Sequence, residues 1–193
     1  YFPLKYKSNR RSDLNVLLMT VDTLRADYLG CYGNEEVKTP AIDALAKNGI
    51  KFDSAFAHNV ITLPSHVNIL TGTYPIFHGV RENIGFRVKN ETLTLAEILK
   101  KNGYKTGAFI GAFPLDSRFG LDKGFDVYDD NYSDSNALND FSFVERKAEN
   151  VIKAAISWVD SLDQNKRLNS TQTSSDRWLC WVHIFDPHAP YNP

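Results

Sequence analysis

Short unbroken apolar runs alternate along this chain with segments whose apolar residues return every three or four positions. Asn15-Val16-Leu17-Leu18-Met19-Thr20-Val21 is the first run, of the length and character of a strand buried on both faces. It breaks into Asp22-Thr23-Leu24-Arg25-Ala26-Asp27, an abrupt change to polar residues. A helix is expected from Thr39-Pro40 to Gly49, with Thr39 as cap, Pro40 in the first position and Gly49 as a left-handed stop. A strand is expected over Ile50 to Ala57. A helix over Pro64 to Leu70 follows, opened by Thr62 and closed near Gly72. Leu95 to Asn102 reads as another helix, capped by Thr92 or Thr94 and stopped by Gly103, and Lys105 to Ile110 as a strand. The longest helix is expected from Phe143 to Leu162, where Val144, Ala148, Val151, Ala155, Val159 and Leu162 form one stripe. A polar loop over Asp163 to Ser175 and a last strand over Trp178 to Phe185 complete the pattern. Such alternation predicts an α/β fold with a mostly parallel sheet and helices on both faces.

Composition narrows the picture. The 193 residues balance 22 Lys+Arg against 23 Asp+Glu, so nothing favours nucleic acid as partner, which needs a clustered basic excess. Two cysteines, Cys31 and Cys180, are too few for a disulfide framework or a cysteine-rich zinc site. Residues 1 to 13 are basic and irregular and read as a leader or linker ahead of one domain over 14 to 193. Their character fits a stretch just beyond a membrane anchor, in an extracytoplasmic setting. The start is not Met, so we expect an upstream segment. No internal repeat is present, and the sequons at Asn90, Asn131 and Asn169 matter only in a glycosylating route.

Three polar groups stand where ligands gather in open α/β sheets, at the carboxyl ends of strands. Asp22 follows the first strand, Thr62 precedes a helix, and His188 follows the last strand within Asp186-Pro187-His188-Ala189-Pro190-Tyr191. A carboxylate can hold a divalent cation, and a hydroxyl at a helix N-terminus sits at the positive end of the macrodipole. A histidine can protonate a leaving oxygen near neutral pH. Together they suit attack on a sulfuryl or phosphoryl group. Plainer readings stand beside these: a turn residue for Asp22, a cap for Thr62, a surface or core histidine for His66, a rigid loop residue for His188. Arg25 and Asp27 either pair with each other or meet substrate. Trp178, Trp181 and Phe185 read as core strand, and Cys31 as a small packed residue.

The run NVLLMTVDTLRADYLGCYG, from Asn15 to Gly33, resembles the opening of the sulfatase family in the alkaline-phosphatase-like superfamily. So does TPAIDALAKNGIKFDSAFAHNVITLPSHVNILTGTYPIFHGV, from Thr39 to Val80. The segments LTLAEILKKNGYKTGAFIG, FGLDKGFDVYDD and HIFDPHAPYNP follow in the family's order. The resemblance implies an alkaline-phosphatase-like fold and a metal-dependent hydrolase of sulfate or phosphate esters, acting on a small-molecule, glycan or lipid ester. It makes Asp22 the first metal-binding aspartate and Thr62 both the nucleophile and a metal contact. His66 falls in the substrate-binding part of the C-x-P-S-R signature, here Thr62-Leu63-Pro64-Ser65-His66, and His188 becomes the histidine beside the leaving group. The cofactor implied is a divalent cation, Ca, Mg, Mn or Zn.

The chain also departs from that pattern. Sulfatases form a formylglycine from Cys or Ser, and Thr62 is neither, so no formylglycine is expected there. Phosphoethanolamine and phosphoglycerol transferases of the superfamily use a threonine at this position, which makes such a transferase an alternative. His66 replaces an arginine, Thr23 a second aspartate, and Gly111 to Asp116 a motif that carries a lysine. A catalytically silent binding domain is the other alternative these losses allow. Further metal ligands are implied after the D-P-H-x-P segment, so we expect the amino-terminal part of a longer enzyme, inactive by itself. Asp22, Thr62 and His188 are expected to converge at one edge of the sheet.

Overall fold

A computed structural model describes residues 14–132, 145–168 and 177–189. The expected leader over 1 to 13 lies outside them. Four strands, β1 (Val16–Val21), β2 (Lys105–Ile110), β3 (Val127–Asp129) and β4 (Trp178–Ile184), form one sheet in the order β1-β4-β2-β3. Every pairing is parallel. The helices are α1 (Pro40–Asn48), α2 (Thr62–Thr71), α3 (Pro75–His78), α4 (Leu95–Lys101) and α5 (Ala148–Leu168).

Period-two alternation sorts the strand side chains onto two cores. On one face Trp181, Ala108 and Ile110 pack with Leu63, Val67 and Leu70 of α2 and with Val80, Val88, Leu115 and Leu121. On the other, Phe109, Cys180 and Val182 meet Val151 and Ala155 of α5. Helices therefore cover both faces, as the pattern predicts. Cys31 and Cys180 are both free. Among the described residues no helix is long and apolar enough to cross a membrane.

Several boundaries differ from expectation, each for a local reason. Ile50 to Ala57 is irregular around a turn at Asp53-Ser54, with Ile50 and Phe56 79 % and 82 % exposed, and it joins none of the described strands. The short β3 carries no strand-length pattern and exists through its pairing with Gly107, Ala108 and Phe109. The last helix starts at Ala148 and continues to Leu168, past the expected Leu162. Asp163-Gln164-Asn165-Lys166-Arg167 holds no Gly or Pro, so its polarity does not break the helix. The remainder of the expected loop, 169 to 175, lies outside the described residues.

Caps differ too. Thr94 forms a capping box with Glu97 on α4. Thr39 stands ahead of α1, yet its hydroxyl donates to Asp43 Oδ1 at 3.0 Å and accepts from the Gly30 N–H at 2.9 Å, so it caps no helix backbone. Gly72 ends α2 with φ +65°, whereas Gly49 ends α1 at φ −125°, outside the left-handed region. Thr62 is the first residue inside α2, not its cap; Ile61 holds the cap position.

The tightest helix–sheet approach is at Gly107, where an added Cβ would come within 2.9 Å of the Trp158 indole of α5. Gly107→Ala is expected to destabilise the protein by about 1–3 kcal/mol through overpacking. A lowered urea midpoint with an unchanged m-value would show it; an unchanged midpoint would mean that α5 has room to shift.

Candidate active site

Parallel pairing puts the carboxyl ends of β1, β4 and β2 at one edge, and the polar residues after β1 and β4 gather there. Asp22 extends the ladder by one residue, its N–H donating to Ile184 O at 2.9 Å. Across from it, α2 begins. Leu63 N–H in its first turn donates to Asn83 Oδ1 at 2.8 Å, and Asn59 Oδ1 accepts from Ile61 N–H at 2.9 Å. Pro64 falls within the first turn, where its missing N–H costs nothing. These loop contacts aim the helix start at β1. Thr62 Oγ1 donates to Asp22 Oδ2 at 3.1 Å, so two of the residues expected at the site are in direct contact.

His66 lies one turn further along α2 and faces inward, 6 % exposed. Its Nδ1–H donates to Thr62 O at 2.7 Å, and its buried Nε2 has no partner among the described residues. The ring packs edge-on against His183, centroids 4.7 Å apart, with Trp181 at 5.8 Å. Burial lowers the pKa of His66, against smaller raising influences from Thr62 O and Asp22. Burial lowers that of His183 well below the usual value, and His66 adds to the effect. Burial favours the neutral form of both rings.

His188 occupies the turn after β4 and is half-buried. Its ring stacks on Phe185 at 4.3 Å, its N–H donates to Phe185 O at 2.8 Å, and its Nδ1–H donates to Ala189 O at 2.6 Å. These bonds stay within its own loop, so His188 shares the sheet edge with Asp22 and Thr62 without touching them. Two anchors fix that loop. Asp186 accepts from Ala148 N–H at the start of α5, and Thr23 Oγ1 donates to Pro187 O at 3.0 Å. Thr23 has φ +54°, a conformation that costs a β-branched residue of order 1–3 kcal/mol. Arg25 and Asp27 pair with each other on the surface.

His183, Thr20 and Asn83 escaped the sequence reading. His183 and Thr20 sit inside runs that read as plain strands, although a histidine in a fully buried strand demands partners. Asn83 gave no local signal, since its bond to Leu63 depends on tertiary contact.

The sequence resemblance implies a divalent cation on Asp22 and Thr62. These two oxygens converge, but among the described residues no group of three or more His, Cys, Asp or Glu is placed to hold a metal ion. One carboxylate and one hydroxyl fall short of the six to eight oxygens calcium takes or the octahedron magnesium takes. The described residues alone do not make up a cation site.

A sequence profile described as Sulfatase matches residues 14–193. The chain belongs to the sulfatase family. It is 41 % identical over 103 residues to human iduronate 2-sulfatase, covering 52 % of this chain and 18 % of that protein. It is 28 % identical over 163 residues to an N-acetylglucosamine-6-O-sulfatase of Bacteroides thetaiotaomicron, covering 79 % of this chain and 28 % of that protein. The fold matches the phosphonate monoester hydrolase of Agrobacterium radiobacter with a TM-score of 0.67 at 22 % identity, over 92 % of this chain and 42 % of that one. The family's alkaline-phosphatase-like fold is thus the fold of this chain, as a partial domain. This sulfatase-family chain spans less than a third of the length of the curated relatives it matches.

The buried histidines set a pH dependence. An unfolded imidazole titrates near 6.5, and burial lowers the folded values of His66, His78 and His183. Below 6.5 the unfolded state takes up protons that the folded state refuses, so stability is fully present above that value and falls as pH drops. Thermal midpoints are expected to hold steady on the alkaline side of 6.5 and decline on the acid side, more shallowly in His78→Gln. An equally steep decline in that variant would take His78 out of the account.

Proposed function

We propose that this sulfatase-family chain carries the nucleophile of an enzyme that cleaves sulfate or phosphate esters, and that Thr62 is that nucleophile. The observation that supports this reading is the Thr62 Oγ1–H to Asp22 Oδ2 hydrogen bond at the N-terminus of a ten-residue helix. The helix start favours negative charge on the transferred group and on the attacking oxygen. Asp22 is oriented to accept the proton that Thr62 must lose.

In the first step Thr62 Oγ1 bonds to sulfur or phosphorus, its proton passes to Asp22, and the ester oxygen departs. His188 supplies the proton to that oxygen. Its Nδ1–H is committed to Ala189 O, which leaves Nε2 as the nitrogen that exchanges protons. In the second step water attacks the Thr62 ester, His188 takes the water proton, and Thr62 recovers its own from Asp22. His66 acts on Thr62 through the main-chain carbonyl and fixes the turn that carries the hydroxyl.

The single hydroxyl of Thr62 decides how the adduct is released. A hydrated aldehyde expels its ester through its second hydroxyl, whereas a threonine ester must be attacked at sulfur or phosphorus. The relatives named for sulfated sugars make sulfated glycans a reasonable first substrate class to assay.

In the protein that carries the activity, Thr62→Ala is expected to lower kcat on nitrophenyl sulfate or nitrophenyl phosphate by about a thousandfold or more. Thr62→Ser should stay within about tenfold, since it loses only the methyl that restricts χ1. Intact-mass spectrometry after brief incubation should find a sulfuryl or phosphoryl adduct that maps to Thr62. Wild-type turnover in Thr62→Ala would reduce Thr62 to a helix-start residue and overturn the nucleophile reading.

A further inference from the structure

Thr20 of β1 and His183 of β4 stand opposite each other in the parallel register. His183 is 0 % exposed, and its Nε2 has no hydrogen-bond partner among the described residues. That nitrogen lies 3.8 Å from Asp22 Oδ2, the atom that accepts from Thr62. On the other side of the ring, Nδ1 lies 3.0 Å from Thr20 Oγ1, which also accepts from the Trp181 indole N–H at 3.1 Å.

Proton counting distinguishes the two tautomers of a neutral His183. With the proton on Nδ1, Thr20 Oγ1 would accept twice and its own proton would have no acceptor. The bare lone pair of Nε2 would then face a carboxylate oxygen in a buried site. With the proton on Nε2, the indole donates to Thr20, Thr20 donates to Nδ1, and Nε2–H is a donor 3.8 Å from Asp22 Oδ2, an electrostatic approach longer than a hydrogen bond. The backbone here has little room to move, because an added Cβ at Gly111 would come within 2.8 Å of His183 O.

We propose that His183 is a positioning residue, held by Thr20 as the Nε2–H tautomer so that its proton keeps Asp22 Oδ2 turned toward the Thr62 hydroxyl. This role rests on the reading of Asp22 as the acceptor of the Thr62 proton. His183 touches no substrate and changes no charge. Its ring direction is set by the hydrogen bonds that run from Trp181 through Thr20 to Nδ1, which leave Nε2 on the side of Asp22. A neutral donor stabilises the carboxylate and fixes its rotamer, which an apolar ring of the same size cannot do.

The test begins with long-range proton–nitrogen NMR of the chain labelled at histidine nitrogen, with His183 assigned by its loss in His183→Gln. The expected spectrum shows Nε2 protonated and Nδ1 as a hydrogen-bond acceptor. Thr20→Val should move the Nδ1 resonance toward an unbonded lone pair. In the active protein, assayed on nitrophenyl sulfate and nitrophenyl phosphate, His183→Phe should lower kcat by about a hundredfold with KM unchanged. His183→Gln, which keeps an N–H donor, should restore most of it. An Nδ1–H tautomer, a Thr20→Val spectrum identical to wild type, or wild-type kcat in His183→Phe each overturns the proposal. Thr62→Ala separates the two readings: it tests the nucleophile by turnover and leaves the His183 tautomer to be read by NMR alone.

Discussion

The indole of Trp181 is buried completely in the middle of the sheet, and a buried N–H must find an acceptor or cost about 1–3 kcal/mol. Thr20 on the neighbouring strand supplies it. That requirement fixes the β1–β4 register as firmly as the apolar packing does, because a shift of one residue would turn Thr20 to the α5 face. Once the register is set, the rest of the edge follows. His183 falls beside Thr20, Asp22 falls beside Ile184, and α2, packed over Trp181 through Leu63 and Val67, brings Thr62 to Asp22. A core constraint thus determines where the polar edge can form.

Much of this was legible in the sequence, and the gaps have physical causes. The apolar run Val16 to Val21 identified β1, although Leu17 and Met19 on one of its faces are 57 % and 49 % exposed, and β2 and β4 were legible as strands that the structure buries along nearly their whole length. The pattern of motifs led to Asp22 and Thr62, and their contact gives that pairing a geometry. The place of Thr62 inside α2 was not legible, because Ile61 has no capping side chain to announce itself. Ile50 to Ala57 misled because a strand needs a neighbour to pair with, which no local sequence supplies. His183 and Thr20 were invisible because their significance depends on β1 lying beside β4, which no local pattern reveals.

The two substitutions that set this chain apart from the family signature are coupled in space. Thr62 and His66 are four residues apart on one helix, and the imidazole bonds the carbonyl of the threonine it accompanies. A guanidinium, always charged and with five donors, would not be satisfied in this pocket between Trp181 and His183. A neutral ring fits there as a packing element with one directed hydrogen bond. The strained Thr23 serves the facing loop in a comparable way, since its hydroxyl ties Pro187 to the end of β1.

The sheet order also has a consequence for how the chain reaches its native state. β4 comes last among the strands and yet occupies the position between β1 and β2. The bond between Thr20 and His183 closes a separation of 163 residues, and that between Thr62 and Asp22 one of 40. Long-range parallel pairing of this kind is slow, because loop closure is unfavourable until many contacts form together. On a ribosome, β1 and β2 would wait without their shared neighbour, with the apolar surface that Trp181 later covers still open to solvent. The helix carrying Thr62 can form early from local contacts. Its hydroxyl gains an ordered counterpart only when β4 inserts, so the emerging chain passes through a long interval in which it needs protection from aggregation and the candidate site is not assembled.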